Sequence, residues 1–156
     1  GSRSRIELSH FGSYVSGFAF CRDRPLKTGI LIVSHSKLAA DGIKEIALQM
    51  AGEDVVVEAV GGFEDGSLGT SALKIIEALD SMRERCSGVA IIPDLGSAVL
   101  TSRSAIEMAQ FGAKVAIADG PILEGAVLGA VEASLGSPLS RVLQVIHEAA
   151  QLRKVG

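Results

Sequence analysis

The chain has 156 residues, a formal net charge of −3, 47% apolar residues, 4% aromatic residues and no tryptophan. That length suits one domain with a substantial core built from Ala, Val, Ile and Leu, as in helices packed closely on a parallel sheet. No apolar run approaches the roughly 20 residues of a membrane-spanning helix, and an acidic body argues against nucleic acid, which calls for a clustered basic face.

The charge is unevenly spread. Residues 1–28 carry five basic and two acidic side chains, a balance of +3, while 29–156 balance to −6. The first segment also holds four of the six aromatics (Phe11, Tyr14, Phe18, Phe20) and shows no sustained period. Residues 1–27 therefore read as an N-terminal extension, with Gly1-Ser2-Arg3-Ser4 resembling a vector-derived leader. Residues 28–156 read as the folded domain. Cys21 and Cys86 lie far apart and fit no motif, which implies reduced thiols and a cytoplasmic setting.

From Lys27 the chain alternates between apolar strands and amphipathic helices. Gly29-Ile30-Leu31-Ile32-Val33 is a fully apolar strand. Leu38, Ala39, Ile43, Ile46, Ala47 and Met50 recur at helical spacing, and Gly52 closes that helix. A second strand is predicted over Asp54–Val60. After a loop over Gly61–Gly69, Thr70 or Ser71 can cap a helix carrying Leu73, Ile76, Leu79 and Met82, with Cys86 at its end. A third strand covers 88–93, a third helix Ser97–Phe111 stopped by Gly112, and a fourth strand Ala113–Ala118. Ile122–Leu135 reads as a helix, and Ser137-Pro138 opens the last one with Pro at its first position. The fold class is thus α/β, a three-layer α/β/α arrangement with a mainly parallel central sheet. The wholly apolar stretch Gly125–Val131 predicts burial on both sides of its helix, most simply in a homodimer.

In such a sheet, chemistry gathers at the carboxyl ends of the strands. His35 follows the first strand, Asp94 follows the third, and the loop between them, Gly61–Thr70, emerges at the same edge. A histidine can serve as nucleophile when one ring nitrogen is free and the other is held by an acceptor. Asp94 is suited to hold it, and helix-start amides with Ser34 and Ser36 can cradle a phosphate. Gly66, Gly69 and Thr70 can wall the same pocket, with Gly96 and Ser97 beyond Asp94. By position alone His35 reads equally as a helix-entry residue with satisfied nitrogens. The glycine loop lacks the lysine of a nucleotide P-loop, and no metal ligand pattern or cofactor motif is found. His10, His147 and Cys86 read as ordinary structural residues, and Glu124 as a structural or interface residue.

Ile32-Val33-Ser34-His35-Ser36, Gly66-Ser67-Leu68-Gly69-Thr70, Asp94-Leu95-Gly96-Ser97-Ala98 and Pro121-Ile122-Leu123-Glu124-Gly125-Ala126 resemble the mannose-family enzyme IIA domains. Within that family they look most like the phosphotransfer subunits of PEP-dependent dihydroxyacetone kinase. The likeness covers roughly residues 28–136. It implies that His35 is phosphorylated on Nε2 by phospho-HPr, with Asp94 as its orienting carboxylate. It further implies transfer to ADP on a nucleotide-binding kinase subunit, a homodimer, and no cofactor. The alternatives are a IIA component of a mannose-type transporter that phosphorylates a IIB protein, and a regulatory phosphohistidine module. Some relatives continue into HPr-like and enzyme I-like domains, so the chain is expected to be a single-domain form or a truncated one. Pro93 departs from the family pattern, which has a larger apolar residue before the aspartate.

Overall fold

A computed structural model describes residues 24–109, 111 and 114–156. The readings placed on residues 1–23, including His10, Cys21 and the four aromatics, lie outside the described residues, as do Gly112 and Ala113. Among the described residues four strands form one sheet: β1 (Lys27–Ser34), β2 (Val57–Gly61), β3 (Cys86–Pro93) and β4 (Val115–Ile117). Their order is β2-β1-β3-β4 and every pairing is parallel. Five helices connect or follow them: α1 (Lys37–Ala51), α2 (Ala72–Met82), α3 (Gly96–Met108), α4 (Ile122–Ser134) and α5 (Leu139–Glu148), with a 3₁₀ turn at Ala149–Gln151.

The alternation of side chains along β1 builds two cores. Ile30 and Ile32 face α1, α4 and α5 together with Ala40, Ala47, Ala126, Ala130, Val142 and Ile146. Leu31 and Val33 face α2 and α3 together with Ile75, Leu79, Met82, Ala98 and Ala105. The result is three layers, helix on sheet on helix, as the element pattern predicts. Small residues let the helices approach closely. In α4 the buried positions are Gly125, Ala126, Gly129, Ala130 and Ala133.

Several boundaries differ from the sequence reading. β2 begins at Val57 instead of Asp54, because Glu53 and Asp54 form the turn that follows α1. Cys86 does not end a helix: α2 stops at Met82, and Cys86 opens β3, two residues before the predicted start. α3 ends at Met108, short of Phe111, and β4 is limited to three residues. Pro138 caps α5 from outside instead of occupying its first turn.

The strand order fixes where a ligand can sit. From β1 the chain crosses to β2 on one side, then to β3 on the other, so the direction of winding reverses between β1 and β3. The crevice outside the carboxyl ends of those two strands is the binding position of open α/β sheets. His35 follows β1 and Asp94 follows β3, so the two residues stand at that crevice.

Candidate active site

His35 occupies the single position between the end of β1 and the N-cap of α1. Ser36 is that cap, its Oγ accepting from the Ala39 amide at 3.2 Å. Ser34 Oγ accepts from the Ser36 amide at 3.1 Å and donates to Asp94 Oδ2 at 2.9 Å. The two hydroxyls therefore shape the turn that presents the histidine.

Asp94 is the hub. The His35 backbone amide donates to Oδ2 at 2.8 Å and the Leu95 amide to Oδ1 at 2.7 Å. The ring Nδ1 of His35 lies 2.9 Å from Oδ1. The Asp94 amide donates to Val33 O at 3.0 Å, tying its loop to β1. Burial alone pushes the Asp94 carboxyl upward, but the hydrogen bonds from the His35 amide, the His35 ring and Ser34 outweigh it and hold the group below its usual value. An ionised carboxylate only accepts. Nδ1 therefore carries the proton, and Nε2 presents its lone pair outward.

What Nε2 faces is the start of α3. Ser97 Oγ lies 2.7 Å from it and, against a bare lone pair, must be the donor. The N-cap of α3, Leu95, supplies no side-chain hydrogen bond. Among the described residues nothing accepts from the Gly96 and Ser97 amides. A Cβ at Gly96 would meet only open space. An uncapped helix start with two unclaimed N–H groups, a hydroxyl and a nucleophilic nitrogen can take up an anion. His35 is 27% and Asp94 17% exposed in their side chains, enough for another molecule to reach the nitrogen.

The glycine loop closes the opposite wall. Gly69 donates its amide to His35 O at 2.9 Å, and a Cβ there would run into the Phe63 ring. Thr70 Oγ1 lies 3.0 Å from Thr101 Oγ1 on α3. The Gly66 amide instead donates to Phe63 O at 3.0 Å, within the loop's own turn. Ser71, not Thr70, caps α2, and its hydroxyl also donates to Glu64. Glu124 pairs with Lys154 at 2.9 Å, and His147 Nδ1 lies 3.1 Å from Asp119 O. Both stand outside the His35 network.

Residues 29–143 match the family described as the PTS system fructose IIA component, EIIA-man. The chain belongs to this mannose-type IIA family. Within it, 131 residues are 32% identical to the phosphoryl donor subunit DhaM of PEP-dependent dihydroxyacetone kinase from Providencia stuartii. That alignment covers 81% of this chain and 27% of the relative, so the IIA chain spans about a quarter of that protein's length. A DhaM of dihydroxyacetone kinase 2 from Listeria innocua is 33% identical over 117 residues, covering 74% of this chain and 93% of that one. Among solved structures, the unknown-function protein EF1359 superposes with a TM-score of 0.73 at 36% identity, over 84% of this chain and all of the other. The EIIA phosphotransferase component from Streptococcus agalactiae, 17% identical with a TM-score of 0.60 over 80% and 92% of the two chains, shares the fold. This is a DhaM-like IIA domain.

In this IIA domain some of the network carries no sequence signal. The Leu95 amide on Asp94 follows from backbone placement alone. Thr101 is a half-buried threonine on α3, and only its spacing of four from Ser97 marks it. No helix among the described residues is long and apolar enough to cross a membrane.

Proposed function

We propose that the protein is a phosphohistidine carrier that takes a phosphoryl group from phospho-HPr onto His35 Nε2. It then delivers the group to ADP held on the nucleotide-binding subunit of a PEP-dependent dihydroxyacetone kinase. The single observation that carries this reading is the bipolar holding of the His35 ring. Asp94 grips Nδ1, and Nε2 opens onto an uncapped helix start.

In the forward step the Nε2 lone pair attacks phosphorus, and the donor's P–N bond breaks with its electron pair returning to the donor nitrogen. Nδ1 keeps its proton throughout. The positive charge that develops on the ring is met by the Asp94 carboxylate. The Ser97 hydroxyl leaves Nε2 and donates to a phosphoryl oxygen, joined by the Gly96 and Ser97 amides. Ser34, Ser36, Gly69 and Thr70 hold the frame, and Gly66 shapes the loop behind it. Transfer to ADP reverses these movements, with the β-phosphate oxygen as nucleophile. No metal or cofactor of its own enters these steps.

The transfer belongs to the domain of residues 28–156, whose first strand opens one residue earlier at Lys27. The work is done in the cytoplasm, where HPr and the kinase subunit are met, without nucleic acid or membrane. The protein acts as a homodimer. Support comes from a largely apolar groove of about 340 Å³ between α1 and α4, lined by Ile46, Met50, Leu123, Val127, Leu128 and Leu152 with the Glu124–Lys154 ion pair at its side. Ile46 is 47% and Met50 64% exposed in the single chain.

The second reading, a IIA component that phosphorylates a transporter IIB protein, is favoured by the family's own description. Charged protein presented in parallel to ADP-loaded kinase subunit and to a IIB protein separates the two. ATP formation with the former supports the kinase role, and discharge to IIB alone replaces it with the transporter role.

A further inference from the structure

Two hydroxyls outside the reacting groups complete a closed circuit around His35. Thr101 Oγ1 donates to Ser97 O, four residues back in α3, at 3.0 Å. Its hydrogen is thereby committed, so the 3.0 Å contact with Thr70 must run from the Thr70 hydroxyl to Thr101 Oγ1. Thr70 follows Gly69, whose amide holds His35 O. Ser97, at the other end, holds His35 Nε2. The histidine is thus gripped at its carbonyl by the glycine loop and at its ring by α3, and the Thr70–Thr101 pair joins the two grips.

The first turn of α3 has particular need of such a tie. α1 and α2 are each capped by a serine side chain, whereas Leu95, the N-cap of α3, supplies none, as is also true of the proline caps of α4 and α5. Helix ends without caps fray, and fraying here would displace the one hydroxyl that addresses the nucleophile. The Thr101 hydroxyl bonded into the Ser97 carbonyl is itself anchored by Thr70, so this turn is tied to the glycine loop at the residue whose side chain must be placed.

We infer that Thr101 is a positioning residue for phosphoryl transfer, fixing Ser97 Oγ at His35 Nε2 through the Thr70–Thr101–Ser97 bridge. The inference rests on the carrier reading for its rate effect, and on geometry alone for its effect on the ring.

The test compares Thr101→Val, which keeps the shape and removes both hydrogen bonds, with Thr101→Ser, which keeps the hydroxyl. Two readouts are taken: the ¹⁵N resonance of His35 Nε2 in the uncharged protein, and the kcat and KM for phospho-HPr. Thr101→Val is expected to move the Nε2 resonance and to lower kcat by about three- to tenfold, the scale of one lost neutral hydrogen bond, with KM changed less than twofold. Thr101→Ser is expected to restore both. If Thr101→Val does not fold, Thr70→Val breaks the same bridge from the loop side and is expected to move the resonance in the same direction. An unmoved Nε2 resonance in a folded valine variant, or a serine variant as impaired as the valine one, overturns the inference. Wild-type protein that accepts no phosphoryl group defeats the carrier reading instead, and the resonance arm still decides the role of Thr101.

Discussion

His35 Nδ1 and Asp94 Oδ1 lie 2.9 Å apart, and the same carboxylate accepts from the His35 amide, the Leu95 amide and Ser34 Oγ. One side chain from the end of β3 thus fixes both the tautomer of the histidine and the path of the backbone that carries it. With Nδ1 held by the carboxylate, Nε2 is the ring nitrogen left facing the start of α3.

Replacing Asp94 by Asn removes the charge and turns an amide donor toward the backbone N–H groups. Phosphorylation of Asp94→Asn by phospho-HPr is expected to slow by roughly 10²–10⁴-fold, the range seen when an orienting carboxylate is lost behind a catalytic histidine. The Asp94 carboxyl titrates lower in the folded protein than in the unfolded chain, where it lies near about 3.9. Its stabilising contribution is therefore complete above that pH and disappears as pH falls through the depressed folded value. Urea unfolding should show wild type more stable than Asp94→Asn at pH 7, with the gap closing below about pH 4. A gap that widens in acid would contradict the assignment.

At Gly69 the backbone has φ +154 and an added Cβ would overlap the Phe63 ring. Gly69→Ala should cost about 1–3 kcal/mol of stability, visible in thermal unfolding. It should also slow phosphorylation, because the amide that holds His35 O is displaced. An alanine variant of unchanged Tm and rate would show that the loop adapts freely.

Among the described residues, Ser102 Oγ is the buried side-chain polar atom without a hydrogen-bond partner. It lies on α3 between Ala98 and Ala105, both packed in the core facing β3. Ser102→Ala removes an unpaired hydroxyl and improves helix propensity, so stability should rise by about 1 kcal/mol. Chemical denaturation measures this directly, and a loss of stability would mean that the hydroxyl has a partner.

The groove between α1 and α4 predicts a dimer contact. Leu128→Glu would bury a carboxylate there, and light scattering should report a monomer where wild type is a dimer. Each monomer should still accept a phosphoryl group, since Leu128 lies outside the His35 network. A wild-type chain that is monomeric at high concentration removes this part of the account.

Much of the fold was legible because β1 is an unbroken apolar run, buried on both faces, and several helices carry clear periods. His35 and Asp94 were legible because each closes an apolar strand. Cys86 was misplaced for an equally physical reason: Leu79, Met82 and Cys86 continue a helical spacing, and only the turn over residues 83–85 ends it. The roles of Ser34 and Ser36 in the turn, and of the Leu95 amide, depend on backbone geometry that composition does not encode. Gly66 and Gly69 look alike in sequence, yet one amide closes its own turn and the other reaches His35. Spacing alone could not tell them apart.

The central claim is that Nε2 of His35 carries the phosphoryl group. Incubating the protein with PEP, enzyme I and HPr, then recording ¹H–¹⁵N and ³¹P spectra, tests it most directly. The account predicts one acid-labile, base-stable phosphoryl group per chain, bonded to Nε2 of His35 and absent in His35→Ala. A label that survives His35→Ala, or that resides on Nδ1, would contradict it.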